Sequence, residues 1–495
     1  MIRNVDADTL VERVYVLLEK VGIGVPNEEL AELCRRRGCR TGADRRVRIP
    51  RELIRDMVEF QKLTQDAYER GHELVYTCGP DWAHHLIWTG RAEAFRESYA
   101  RRFQMQAFDC GPTTYYDYPK GEVRPVDAEL FTQVLRFAEA SPEIGYISCW
   151  YRQDLPPRIE RLQSLVEGLK ITGKLDGIEA IQPEMIKYLQ EASAIVYGDR
   201  GSAAFLAGSE CMTMPLKLEE RSAEDILERR RCGVHRYHVA SMPTLGVSTP
   251  VSLAAAIVMG AAELLGGMAV CWCADPQSDL SARMIALAVD MRNGNSTTLG
   301  PACVLYDNAV RQLFLQRWGG HCMVEVFFSP TARRPGLQAV FENYYATSCR
   351  RRWESNPHIP YAGMGTLHNG GLGSPTQFML DMEIRKAEWA YRSEIPVDEE
   401  TLDWEELVRV TEAGGNFLES EHTLRHFREL WLSDLFRSDN PFEGAWDGTE
   451  RSILDRCEEL WRERLRAYRP PERPPETMRA LDALLQKAKA EFGVR

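Results

Sequence analysis

From about Gly71 onward the chain alternates short apolar runs with amphipathic, helix-length stretches, and that alternation limits the available folds more than any other feature. The runs are Ile144 to Trp150, Gly177 to Ile181, Ala203 to Ala207, Val234 to Ala240, Met268 to Trp272 and Met323 to Phe328. Each is apolar on both faces, as parallel strands covered by crossover helices must be. The pattern persists for about 300 residues and no G-x-G-x-x-G opens any helix, which favours an α/β fold of the (β/α)8 TIM-barrel type over a doubly wound sheet.

The flanks read differently. Residues 1–70 form a helical preface: Leu10, Val14, Leu17 and Leu18 share one helical face, a turn spans Gly22 to Pro26, a second helix runs through Leu30 and Leu33, and a third follows Ile49-Pro50. The barrel occupies 71–395, and residues 396–495 form a charged, Trp-rich helical extension interrupted by prolines between Pro470 and Pro475. The one membrane-like stretch, Val251 to Ala274, contains Glu263 and the pair Gly266-Gly267, and is expected to form a buried helix, a turn and a buried strand.

Composition excludes whole classes of function. With 44% hydrophobic and 27% charged residues the chain is globular, and a net charge of -12 opposes a nucleic-acid partner. The start, MIRNVDADTLVERV, lacks the basic and apolar regions of a secretory signal, so a cytoplasmic protein with no membrane attachment is expected. Thirteen cysteines without a repeated spacing suit a reducing compartment.

In a barrel of this kind the chemistry sits at the C-terminal ends of the strands. The residues closing each run are therefore the first candidates: Trp150, Tyr151 and Asp154; Glu210 and Cys211; Trp272, Cys273 and Asp275; Glu325 and Phe327, with Arg333 and Arg334 beyond them; and, upstream, Tyr116 within Thr113 to Tyr118. Aromatic rings with a few carboxylates are what a quaternary ammonium pocket needs, because ring faces attract a cation that has no N–H to donate. Any one of these rings also has an ordinary role as core filler. Cys271-x-Cys273 would place both thiols on one side of a strand, but no second C-x-x-C and no H-E-x-x-H accompanies it, so no metal site is assigned. Nor is there a G-x-S-x-G elbow or Walker motif. The Gly-rich stretch Gly363 to Ser374, with Gly365, His368 and Asn369, suits either close approach to a large ligand or a tight βα loop.

The stretch Thr244-Leu-Gly-Val-Ser-Thr-Pro-Val-Ser-Leu-Ala-Ala-Ala-Ile257, followed by Ala262-Glu263-Leu264, resembles the G-x-T-x-P-V-T-L-A-G…A-E-x-L signature of trimethylamine methyltransferase-like proteins. Asp290-Met-Arg-x-Gly294, Ser374 with Leu380-Asp-x-Glu383, Asn416-Phe-Leu, His422-Thr423, Phe427-Arg428, Trp446 and Gly448 follow in that family's order, as do Val21 to Val25 and Arg48-Ile-Pro50 upstream. The resemblance implies a TIM barrel that demethylates a small methylated amine and passes the methyl to the Co(I) of a separate corrinoid protein. No cofactor is then tightly bound to this chain, and the corrinoid arrives with the partner.

Only standard residues are present, so the chain is similar to the branch without pyrrolysine, which includes glycine betaine:corrinoid methyltransferases. One departure bears on the substrate: Ser329 to Leu337 replaces a more acidic or Lys-containing stretch, while Gln338 and Glu342 remain. On this reading Tyr116, Trp150, Tyr151, Trp272 and Phe327 surround the cation, and Glu342, Glu210 and Asp154 supply carboxylates. Arg333 or Arg334 holds a substrate carboxylate, and His368, Asn369 and Gly365 face the corrinoid. A homo-oligomer is expected. The alternatives are a zinc- and thiol-using methyltransferase drawing on Cys211, Cys271 and Cys273, and a non-catalytic binder of methylated ligands.

Overall fold

The computed structural model describes residues 2–71, 105–108, 111–198, 203, 205–213, 215–298, 300–318, 323–326, 330–351, 361–391, 395–436 and 449–494. Three helices open the chain: α1 (Asn4–Lys20), α2 (Glu28–Arg36) and α3 (Arg51–Gly71). Helix α2 starts where Asn27 accepts from the Leu30 N–H, with Glu28 and Glu29 in its first turn and Arg35 and Arg36 in its last, which suits the helix dipole at both ends. The preface is not purely helical. Ile23–Gly24 pairs antiparallel with Arg46–Arg48 and parallel with Lys217, so it extends the central sheet.

The mixed α/β body then alternates strand and helix. Its strands are β1 (Met105–Ala107), β2 (Ile144–Ile147), β3 (Ile178–Glu179), β4 (Leu206–Ala207), β5 (Glu210–Thr213), β6 (Arg236–Ser241), β7 (Asp279–Met284), β8 (Met323–Val326) and β9 (Tyr361–Met364). The helices between and after them are α4 (Ala128–Ala140), α5 (Pro157–Ile171), α6 (Ile186–Tyr197), α7 (Glu220–Cys232), α8 (Leu253–Ala274), α9 (Pro301–Arg317), α10 (Leu337–Arg351) and α11 (Pro375–Ala390). Parallel pairing links β9 to β1 and β1 to β2; Ile147 bridges to Leu175 just ahead of β3, and β3 pairs with β4. Beyond Gly208-Ser209, β5 pairs with β6, β6 with β7 and β7 with β8, again all parallel.

One expected strand is absent. Met268 to Trp272 lies within α8, a single unbroken helix of 22 residues, so Val251 to Ala274 contains no turn and no strand. The reason is packing: a Cβ on Gly266 would sit 2.6 Å from Ile23, and one on Gly267 would sit 2.6 Å from Val239. These glycines let the preface strand Ile23–Gly24 and β6 approach the helix; they do not break it. By composition α8 is long and apolar enough to cross a membrane, but 72% of its apolar window is buried inside the protein, as a helix apolar on all sides is when it runs through a core.

After α11 come short helices α12 (Glu399–Leu402), α13 (Trp404–Glu412) and α14 (Glu421–His426), then two long ones, α15 (Glu450–Arg466) and α16 (Pro475–Phe492). Helix α15 packs on α4 and α11, burying Leu454, Cys457 and Trp461, and α16 packs on α5 and α6 through Leu481, Leu484, Leu485 and Ala488. They form an outer layer over the first half of the body.

Candidate functional site

Strands β6 and β7 decide where polar chemistry can sit. Tyr237 and Val239 of β6, and Leu280, Ala282 and Met284 of β7, belong to the core shared with α8 and the preface. Side chains alternate along a strand, so Arg236, His238 and Ala240, and Asp279, Ser281 and Arg283, take the opposite face, away from the helices. The strands run in register, pairing Arg236 with Asp279, His238 with Ser281 and Ala240 with Arg283, and Arg283 in turn with Glu325 of β8. His238 Nδ1 lies 2.7 Å from Ser281 Oγ, both residues being buried. Toward the strands' C-terminal ends Ala240 and Arg283 are half-exposed. Helices cover the other face, so that exposure comes from the face turned away from them, where the small Ala240 is the register neighbour of Arg283.

Loops following the strands close over this end. The hairpin of Thr114–Asp117 with Glu122–Pro125 follows β1, and Leu372–Gly373 pairs parallel with its first strand. Tyr116 packs there with Ala332, Ala339, Leu367 and Leu372, drawing together the loops after β1, β8 and β9. His368 and Asn369 hold left-handed backbone (φ 47° and 56°), fixed by bonds from their N–H groups to Ala332 and Pro330 carbonyls at 2.9 Å each. His368 is exposed and Asn369 half-buried, with Thr298 Oγ1 donating to the Asn369 amide oxygen at 3.2 Å.

Asp381 supports the adjoining turn: it accepts from Gly365 N–H at 2.9 Å and from Gln377 Nε2 at 2.7 Å, and burial pushes its carboxyl up to about 6. Gly365 itself is buried, and its φ is +74°. A Cβ there would lie 2.5 Å from Phe108, so this glycine serves close packing and does not face outward toward a docked ligand.

The other expected residues fall into distinct places. Trp150 is fully buried, edge-on to Phe108 at 5.0 Å, with Gly373 pressed so close that a Cβ would come within 2.3 Å of its ring. Its indole N–H has no acceptor among the described residues, and neither has the hydroxyl of Thr366, which is the register partner of Gly373. Tyr151 already has a cation on its ring: the Arg161 guanidinium stands 3.0 Å from the centroid. Trp272 is displaced altogether. It sits in the last turn of α8, where that helix leads into the start of β7, against Phe60 at 6.3 Å and Arg37 at 5.2 Å. That is the end opposite the loops, and Trp272 and Trp150 belong to separate core clusters. Cys271 and Cys273 lie on the same helix, so they point to different sides, not to the shared side a strand would give them. Phe327 lies outside the described residues.

The carboxylates are engaged by the protein. Glu210, 1% exposed, pairs with Arg229 at 2.9 Å and accepts from the His238 N–H at 2.7 Å. Asp154 binds Arg152 through both oxygens, at 2.9 and 2.6 Å. Glu342 caps the loop after β8, accepting from Thr331 N–H at 2.8 Å, Ala332 N–H at 3.1 Å and Gln338 Nε2 at 2.9 Å. Arg333 and Arg334, in that loop, are both exposed.

Two acidic residues of the family-like motifs turn out to be braces. Glu263, wholly buried, accepts from Leu216 N–H and Ser241 Oγ at 2.6 Å each, tying α8 to the end of β6. Glu383 of α11 accepts from Ser433 Oγ at 2.7 Å and Asp434 N–H at 2.9 Å. The polar ladder on β6 and β7 escaped the reading of apolar runs, although Asp279-Leu-Ser-Ala-Arg-Met284 alternates with period two and carries the signal plainly.

Comparison with known proteins identifies the family. Residues 100–493 match the profile of a family described as trimethylamine methyltransferase (MTTB). A glycine betaine methyltransferase of Desulfitobacterium hafniense is 23% identical over 496 residues, covering 97% of this chain and 95% of the relative. The trimethylamine methyltransferase MttB of Methanosarcina thermophila is 30% identical over 238 residues, 48% of this chain and 47% of its own, and MttB2 of Methanosarcina mazei is 27% identical over 285 residues, 57% and 55%. The chain belongs to the trimethylamine methyltransferase (MTTB) family and is a methyltransferase.

Proposed function

We propose that this methyltransferase demethylates a quaternary amine bearing a carboxylate, of the glycine betaine type, inside a closed (β/α)8 barrel of the cytoplasm. The barrel rests on the parallel pairings that run from β9 through β1 around to β8. The observation carrying the substrate class is Arg283, half-exposed on the inner face near the end of β7 beside the small Ala240. A guanidinium forks onto a carboxylate through two parallel N–H bonds and so fixes the far end of the substrate. Arg333 and Arg334, on an exposed loop, are less suited to that role than a strand-borne arginine.

Positioning is the chief demand of the reaction. When a quaternary ammonium loses a methyl, nitrogen keeps the bonding electron pair and leaves as a neutral tertiary amine, so no general acid is required and orientation accounts for most of the acceleration. A docked corrinoid supplies the cobalt nucleophile that accepts the methyl. The rim turn fits such a group in donor type: His368 and Asn369 offer an imidazole and a carboxamide at the mouth, on backbone already fixed by two hydrogen bonds. The ladder of Arg236, His238, Asp279 and Ser281 supplies polar groups on the same face of the sheet, below Arg283.

Calorimetry with glycine betaine and with choline, which has the same trimethylammonium head but no carboxylate, tests this reading on the parent and on Arg283→Gln. Glycine betaine should bind the variant roughly tenfold to a hundredfold more weakly, the value of a lost charged hydrogen-bond pair, while choline should bind both proteins alike. Equal binding of the two ligands by the parent defeats it.

A further inference from the structure

We propose that residues 395–436 form an arm that docks on a second copy of this chain, laying its apolar side chains against the exposed stripe of α10. The arm leaves much of its apolar surface exposed. Of the 24 large hydrophobic side chains exposed among the described residues, 13 lie in these 42 positions, including Trp404 at 64%, Leu418 at 83%, Leu424 at 71% and Leu432 at 79%. Among the described residues, every hydrogen bond and ion pair of residues 396–432 closes within that segment, for example Arg425 to Asp403 at 2.7 Å and Arg409 to Glu406 at 2.7 Å. Among the described residues the arm reaches the body at its end, where Ser433 and Asp434 bind Glu383 and Leu435 enters the core.

The apolar area identifies the kind of partner. At roughly 200 Å² per fully exposed large side chain, the arm leaves on the order of 1,500 Å² of apolar side-chain surface uncovered within 42 positions. Two arms covered in a two-fold pair reach the range of obligate homodimers, above about 2,000 Å², and exceed what a partner that must dock and leave requires.

Charge selects the surface the arm meets. Residues 395–436 carry eleven Asp and Glu against three Arg, so two arms facing each other repel. Residues 330–351 carry four Arg against one Glu, and the outer face of α10 shows Leu337, Phe341 and Tyr344, 73%, 65% and 53% exposed, at helical spacing i, i+4, i+7. Phe341 stacks on Tyr345 with centroids 6.0 Å apart, which stiffens that stripe. An acidic apolar arm from one copy thus meets a basic apolar helix of the other, and a two-fold axis makes the contact twice and closes the pair. The arm's negative charge argues against an anionic lipid surface as its cover.

Sedimentation velocity at micromolar concentration tests the proposal with three proteins: the parent, an arm variant (Leu418→Asp, Leu424→Asp, Leu430→Asp) and a face variant (Leu337→Asp, Phe341→Asp). Circular dichroism verifies that each is folded, and Arg333→Glu with Arg334→Glu serves as a milder face variant should the apolar one unfold. The parent should sediment as a dimer or a multiple of one, and each variant should dissociate at least a hundredfold more readily. Mixing arm and face variants should recover part of the dimer, because one intact arm then meets one intact face. A monomeric parent, an arm variant that keeps the parental mass, or a face variant without effect each overturns the arrangement. A parent that stays monomeric until a corrinoid protein is added does so too, and assigns the arm to that partner.

Discussion

His238 and Ser281 face each other across two parallel strands, imidazole Nδ1 2.7 Å from the hydroxyl, in the middle of a polar ladder on the sheet face turned away from the covering helices. Removing the hydroxyl in Ser281→Ala withdraws a hydrogen bond from a buried ring and should cost about 1–3 kcal/mol of stability. The double variant His238→Leu, Ser281→Ala should recover much of this, because it removes both polar partners. Urea midpoints of the two single variants and the double give the coupling directly; strictly additive losses mean the two groups act independently.

Glu210 and Arg229 form the most enclosed ion pair joining a strand to its covering helix, the side chains being 1% and 6% exposed at 2.9 Å. Arg229→Met leaves Glu210 charged and uncompensated and should cost about 3–5 kcal/mol, whereas replacing both with apolar residues should cost far less. The Glu210 carboxylate also holds the His238 backbone N–H, so the Arg229 variant should lose methyl-transfer activity together with stability. Thermal unfolding with a parallel turnover assay separates the two effects.

The sequence made the preface helices and most of the strand–helix alternation legible, because Leu10, Val14 and Leu17 and the run of Val234 to Ala240 carry clean periodicities. It hid β1 and β9, because Gln106 interrupts the one and Gly363 the other, so neither reads as an apolar run. It misplaced Trp272 because Gly266-Gly267 looks like a turn from composition alone, while in the fold those glycines admit Ile23 and Val239 against a continuous helix. Of the expected site, Tyr116, His368 and Asn369 do gather where the loops meet. Glu210 and Glu342 could not be recognised as braces without knowing that Arg229 and the Thr331 loop fold onto them.

Burial makes Glu263 a pH-dependent brace. Its carboxyl is pushed up from 4.5 to about 7 by burial, partly offset by the Ser241 hydroxyl and the Leu216 N–H. Between those values the native state holds a proton that the unfolded chain has released. The group's stabilising contribution is therefore complete below about 4.5 and declines as pH rises to about 7. Glu263→Gln cannot ionise, so relative to the parent it should gain on the order of 3 kcal/mol between about pH 5 and pH 8. Denaturation midpoints of both proteins across that range measure it, and parallel pH profiles refute the assignment.

Trp272 gives the sharpest separation between an aromatic cage and the inner-face site. Its ring is 8% exposed at the end of α8, packed on Phe60 and under Arg37, in the cluster that joins α8 to the preface. Trp272→Leu removes the π face and part of the packed volume, so stability should fall by about 1–3 kcal/mol through lost contact and the lost cation–π attraction to Arg37. Binding of a quaternary amine should not change, because the chemistry of such a fold lies at the opposite ends of the strands. Calorimetry with glycine betaine beside a thermal melt gives both quantities on one preparation. A lower melting temperature with parental affinity supports Arg283 as the residue that orients the substrate, whereas a loss of affinity with unchanged stability returns Trp272 to the binding site and moves the site to the other end of the strands.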